Sequence, residues 1–395
     1  MTEYSKLMTT YDQDVNFLTH PTGVDLTTGI LPLIEITQDK STFTMCDWYQ
    51  TKWDHADAKQ PEEKKEGPLL MISGMLTQEW GELEHNSVWV GFFSSHDLHL
   101  DSFRTLHITF KAGKNQDGYI DNDDLIWQVE LSMDIFVDKT HSFKGALFLF
   151  DNTTSHQKWV LDTPSACKMV KNLKLGWTPH PGGPKMWDSM LLDELIQLFY
   201  FTDGHPTMPG WFKGMKVVLE EHRLFQLQDN SKPLNGECMD FKCAKGAMDC
   251  CCHCILFNQP DFTYVKSHLE EVITVHGHLC NLYPKFHCEL NYIEQYWGAV
   301  KLLYMSRPWL KKMDKIKKQV VACLNDIPLL QIWRYGFWNY IWSNHWLMVS
   351  DQSGLLTILC ISWKHIGGAS MVLKWSGPIE STMAIKCYQT TSWKH

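Results

Sequence analysis

The chain has 395 residues, 44% of them hydrophobic and 21% charged, with a formal net charge of −9. That balance excludes wholesale disorder and a fibrous repeat, and it leaves any affinity for nucleic acid to local basic patches rather than to the global field. The N-terminus is polar and the apolar run Leu355 to Trp363 is too short to span a bilayer, so no membrane partner and an intracellular location are expected.

In chain order, Leu31 to Thr37 reads as a strand ending at Asp39, and Phe43 to Trp53, Leu69 to Leu76 and Thr105 to Phe110 read as three more. After a polar turn, Asp121 and Asp124 stand at capping-box spacing, and Leu125, Val129, Met133 and Phe136 follow at helical spacing, which predicts a helix from about Asn122 to Asp138. Gly145 to Phe150 is a continuous apolar run suited to a central strand and ends at Asp151. From about residue 168 to 259 the pattern is irregular, with a helix near Lys213 to Phe225. A helix from Asp261 to His276, a strand from His278 to Tyr283, a helix beginning near Leu290 and a basic helix from Leu310 to Asp326 complete the readable part. The Trp-rich remainder has no clear periodicity. Strands, a helix and a buried strand together imply a mixed sheet flanked by helices, an α/β class.

Asp39 and Asp151 end predicted strands, and Glu294 lies on a predicted helix. Three carboxylates converging at sheet ends can hold two divalent ions about 4 Å apart, the arrangement that serves phosphodiester chemistry, and hard oxygen ligands favour Mg²⁺ or Mn²⁺. The alternative is that all three are solvated surface acids.

Six of the thirteen cysteines crowd between Cys238 and Cys254. Cys238, Cys243, Cys250 and Cys254, with Cys251, Cys252 or His253 as substitutes, could form a tetrahedral Zn²⁺ site; the alternative is reduced thiols packed under a loop. Lys301, Arg307, Lys311, Lys312, Lys315, Lys317 and Lys318 have only Asp314 among them and form a candidate DNA-phosphate surface, or a merely solvated helix face. Lys168, Lys171, Lys174 and Lys185 form a second basic patch.

The strings TQDKSTF (Thr37 to Phe43), FKAGKNQDGYIDNDDL (Phe110 to Leu125), LFLFDNTTSH (Leu147 to His156), CCCHCILFNQPDF (Cys250 to Phe262) and LYPKFHCELNYIEQYWGAVK (Leu282 to Lys301) resemble a family of fungal mariner-like DDE transposases. The resemblance implies an RNase H-like catalytic domain over about residues 31–306, carrying the Cys-rich insertion at about 168–259. A truncated remnant at 1–30 precedes it, and the basic helix and an irregular C-terminal tail occupy 307–395. It implies Asp39, Asp151 and Glu294 as catalytic metal ligands, and Asn152, His156 and Asn291 beside the metals or the scissile phosphate. Read without the resemblance, those last three suit capping and turns. DNA as partner, DNA strand cleavage and transfer as activity, nuclear localisation and a homodimer in the active state are implied likewise.

Three features depart from the family pattern. Lys40 follows the first aspartate where the family carries an acid, placing an ammonium where it competes with metal. Between Asp151 and Glu294 lie 142 residues, a long spacer, and only 38 precede Asp39, too few for paired helix-turn-helix modules. Arginine is also scarce. Arg104, Arg223, Arg307 and Arg334 are the arginines among 36 basic residues, while tryptophan occurs 18 times. Most arginine codons begin with CG, and transitions there yield Trp, Cys, His or Gln, so the composition suggests a copy altered by cytosine deamination. The competing reading is therefore a non-enzymatic nucleic-acid-binding relic or interaction protein that keeps the fold without turnover.

Overall fold

The computed structural model describes residues 2–11, 17–44, 69–84, 106–112, 117–190, 195–224, 234–239, 242–244, 247–285, 287–308, 310, 312–339, 370–371 and 389–390. Two compact units are present: residues 1–152 with 276–395, and residues 153–275. The second is wider than the insertion expected at about 168–259. Residues 2–30 are part of the first unit, where Tyr4, Leu7 and Met8 pack against Leu33, Leu147, Leu149 and Tyr283.

The first unit is organised by a mixed sheet. Strand β1 (Leu33–Thr44) pairs antiparallel with β2 (Leu69–Thr77), which pairs antiparallel with β3 (Ile108–Ala112). On its other side β1 pairs parallel with β4 (Gly145–Phe150), and β4 with β5 (Leu279–Leu282), giving the order β3-β2-β1-β4-β5. Every residue of β4 is buried, as its unbroken apolar run requires of a strand covered on both faces.

The expected break at Asp39 is absent. β1 runs unbroken for 12 residues, because its polar middle finds partners on each face in turn. Gln38 Nε2 donates to Ser73 Oγ at 2.8 Å, and Ser73 Oγ donates to Gln128 Oε1 at 2.7 Å. A buried polar set with its bonds made costs little. The part of the predicted second strand beyond Thr44 lies outside the described residues.

Helix α1 (Asn122–Thr140) begins with the capping box foreseen: Asp121 Oδ1 accepts from the backbone N–H groups of Asp123 and Asp124, and Asp124 Oδ2 accepts from Asp121 N–H. Its Gln128 meets Ser73, so α1 covers the face of the sheet that carries Gln38 and Lys40. The opposite face is covered by α5 (Ile293–Ser306) and α6 (Met313–Asn325). There Phe43, Leu70, Ile72 and Leu76 meet Tyr292, Tyr296, Trp297, Val300, Ile316 and Val320 in one apolar cluster. Burying a large side chain of this kind contributes about 1.5–3 kcal/mol. Residues 329–339 are also helical.

The second unit has little regular structure. Helices α2 (Gly214–Glu221) and α3 (Cys252–Phe257) pack around Phe199, Phe212, Met215, Leu219 and Leu256. The helix expected over Asp261 to His276 is two: Pro260–Thr263, and α4 (His268–Val275). Gly214 enters α2 at φ +74°, where a Cβ would lie 2.6 Å from the Asn172 carbonyl carbon, so this turn requires glycine.

Candidate functional site

The carboxylates come together through register. In the β1–β4 pairing Thr37 faces Leu149, and the same offset carried two residues on sets Asp151, just past the end of β4, level with Asp39. Asp39 is therefore not at a strand end, as expected, but at the point where β1 loses its parallel neighbour and continues paired only to β2, opposite Gly74. Cross-strand partners share a face, so Asp39 points toward the α5 side. Glu294 sits in the first turn of α5 above that face. Trp297, one turn on, lies against Gly74: a Cβ there would be 3.0 Å from the indole Cη2.

Electrostatics register this proximity. Burial first, then the Glu294 carboxylate and the Asp151 charge, together push the Asp39 carboxyl up to about 7 against the Lys40 backbone N–H. Glu294 is raised by desolvation, lowered by Lys301 two turns along α5, and raised by Asp151. Lys40 leaves β1 on the opposite face. Its ammonium is lowered by burial and held up by Asp151 first, then Asp39, then Asp124 and Asp121 at the start of α1. The expected cation beside the acids is thus present, shared between them and the α1 cap.

Two further carboxyls belong to the same unit and were not foreseen. Glu35 and Glu79 are both pushed up to about 7 by burial, and the Glu79 charge adds to the shift of Glu35. Glu35 alternates with Thr37 and Asp39 on one face of β1. A carboxylate in an apolar strand, as in LPLIEIT, was the available signal.

Of the supporting residues, Asn291 is buried just before α5 and its Oδ1 accepts from Thr37 Oγ1, two residues from Asp39. Asn152 follows Asp151 in the first unit, and His156 is buried in the second. In the basic patch, Lys312, Lys315 and Lys318 are exposed at three-residue spacing on α6, and Lys317 is half-buried with its pKa lowered by that burial. Lys301 instead lies over the Phe43 ring at 5.8 Å, and Arg307 pairs with Asp326. Lys311 lies outside the described residues. Among the described residues no helix is long and apolar enough to cross a membrane.

In the second unit the cysteines do cluster. The Sγ atoms of Cys238, Cys243, Cys250 and Cys251 all lie within 4.8 Å of one another, so these four could hold a metal ion. Cys254, expected in the fourth place, is 3.2 Å from Cys250 but outside that mutual set. The pKa of Cys250 is lowered by hydrogen bonds from neighbouring thiols, Cys254 first, while the Cys238 thiol, bonded to Cys250, is pushed up to about 12. The three carboxylates of the first unit form no such tight cluster. Of the second basic patch, Lys168 contacts His180 Nε2, Lys171 donates to the Leu234 carbonyl, Lys185 lies 5.1 Å from the Tyr200 ring centre and Lys174 is exposed.

Comparison of the chain with known protein families, with curated proteins and with solved structures gave no match.

Proposed function

We propose that the first unit is an RNase H-like nuclease domain of the mariner-like DDE transposase type, built for divalent-metal-dependent cleavage and transfer of DNA strands. The observation that carries this reading is the meeting of Asp39, Asp151 and Glu294 on one side of the sheet, each within electrostatic reach of another. The strand order β3-β2-β1-β4-β5, antiparallel on one side of β1 and parallel on the other, fits that fold.

The donor set suits Mg²⁺ or Mn²⁺. Three hard carboxylates, one with its pKa raised partly by the others' charge, form a site whose repulsion a cation would relieve. Asp39, Asp151 and Glu294 would be the residues that hold the pair of divalent ions such chemistry uses. Such ions, when bound, supply the Lewis acidity for attack by water or a 3′-hydroxyl. The chain's own part is to fix the carboxylates: Asp39 by β1, Glu294 by the first turn of α5, with Asn291 tied to Thr37 below. Exposed Lys312, Lys315 and Lys318 would hold DNA by its phosphates without reading its sequence.

A second reading, DNA binding without turnover, is favoured by one observation: the Lys40 ammonium already supplies positive charge to Asp151 and Asp39. Nicking of supercoiled DNA separates the two. Mn²⁺- or Mg²⁺-dependent nicking that disappears in Asp151→Ala supports the nuclease. Salt-sensitive DNA binding by folded protein with no nicking at any metal concentration refutes it in favour of the binding protein.

A further inference from the structure

We infer that the second unit contains a structural zinc site in which Cys238, Cys243, Cys250 and Cys251 are the four thiolate ligands, and that this site fastens Cys238 and Cys243 to the start of α3. The inference is independent of the nuclease reading.

Geometry selects the ligands. A Zn–S bond is about 2.3 Å, which sets tetrahedral sulfurs about 3.8 Å apart. Cys238 and Cys250 Sγ are 3.5 Å apart, and all four sulfurs fall within 4.8 Å of one another. The alternatives are turned elsewhere. Cys252 is fully buried in the apolar cluster with Leu256 and Phe212, and His253 Nε2 is bonded to the Met169 carbonyl at 3.2 Å. Cys254 approaches Cys250 and Cys243 but lies outside the set of four that are mutually within 4.8 Å.

This part of the unit has a reason to need such a clamp. Met239 is 87% exposed and Met248 is 62% exposed, so the described residues beside Cys238, Cys243 and Cys250 bury little, and metal substitutes for a core in such cases. Its backbone is already laid against α3, with Cys252 N–H donating to the Asn235 carbonyl at 3.0 Å and His253 N–H to the Gly236 carbonyl at 3.1 Å. The sulfurs of Cys250 and Cys251, immediately before α3, then face those of Cys238 and Cys243. As each S–Zn bond forms, its thiol yields a proton to solvent, and no electron is transferred. The resulting centre carries two net negative charges. None of the four forms a disulfide, so their sulfurs are available as ligands.

The test uses the full-length chain purified under reducing conditions. Metal content is measured by mass spectrometry, and the zinc is exchanged for Co²⁺, whose ligand-field and charge-transfer bands count thiolates in a tetrahedral site. The expected result is one zinc per chain and a four-thiolate cobalt spectrum, kept by Cys254→Ser and weakened or lost in Cys251→Ser. Circular dichroism verifies that each variant is folded. Folded wild-type chain that binds neither zinc nor cobalt overturns the site. A cobalt spectrum lost in Cys254→Ser and kept in Cys251→Ser overturns the ligand assignment.

Discussion

Gly74 and Trp297 are in contact across the sheet–helix interface: a Cβ at position 74 would lie 3.0 Å from the indole Cη2 and 3.2 Å from Cζ2. Gly74 faces Asp39 across β1–β2, and Trp297 follows Glu294 by one turn of α5, so this pair sets how closely two of the carboxylates approach. Trp297 is buried and its neighbours Tyr296 and Val300 are fully packed, leaving it little room to move. Gly74→Val is expected to destabilise the fold by about 1–3 kcal/mol through overpacking, measured by urea unfolding. The same variant should reduce metal-dependent nicking more than Gly74→Ala does.

Asp39 gives the fold a pH dependence with a definite sign. Its folded pKa of about 7 is above its ordinary 3.8, so the folded state holds the proton more tightly. The associated stability is fully present below about pH 4 and is lost as pH rises through 7. Glu35 and Glu79, also near 7, act in the same direction. Unfolding free energy in the presence of a chelator is expected to fall between pH 4 and 7. Asp39→Asn should flatten that fall and raise stability at pH 8 by about 1–3 kcal/mol. An unchanged pH profile in the variant would contradict the assignment.

Lys40 lies on the α1 face yet influences Asp151 and Asp39. Removing a competing ammonium should strengthen binding of a divalent cation. Lys40→Ala is expected to tighten Mn²⁺ binding about three- to tenfold, a change of about 1 kcal/mol, as read by electron paramagnetic resonance of free Mn²⁺. Weaker binding in the variant would mean that Lys40 orders the acids rather than competing with metal.

The basic residues near α6 divide into two roles. Lys312, Lys315 and Lys318 are exposed, so replacing all three by alanine should weaken duplex DNA binding and lower the slope of log K against log salt by roughly two to three. Arg307 is paired with Asp326, and its Nη1 donates to the Gln319 carbonyl at 3.4 Å. Arg307→Ala should therefore lower the melting temperature while leaving the salt slope nearly unchanged. Fluorescence anisotropy over a salt series and a thermal melt distinguish the two roles.

What the residues alone determined is local. The Asp121 cap and the spacing of Leu125 to Phe136 specify α1, the apolar run at Gly145 to Phe150 specifies a doubly covered strand, and the crowding of cysteines specifies a thiol-rich site, because each is encoded by neighbours in the chain. Polar QDKST looked like a strand end, and only pairing with β2 and the Ser73–Gln128 hydrogen bonds make it the middle of β1. That Cys251 rather than Cys254 lies within 4.8 Å of Cys238, Cys243 and Cys250 was likewise a matter of the fold. The tertiary structure alone decided which side of the sheet Asp39 takes and that Asp39, Asp151 and Glu294 come within electrostatic reach of one another. Side-chain alternation along a strand is local, but which face meets α1 and which meets α5 depends on contacts between residues far apart in sequence.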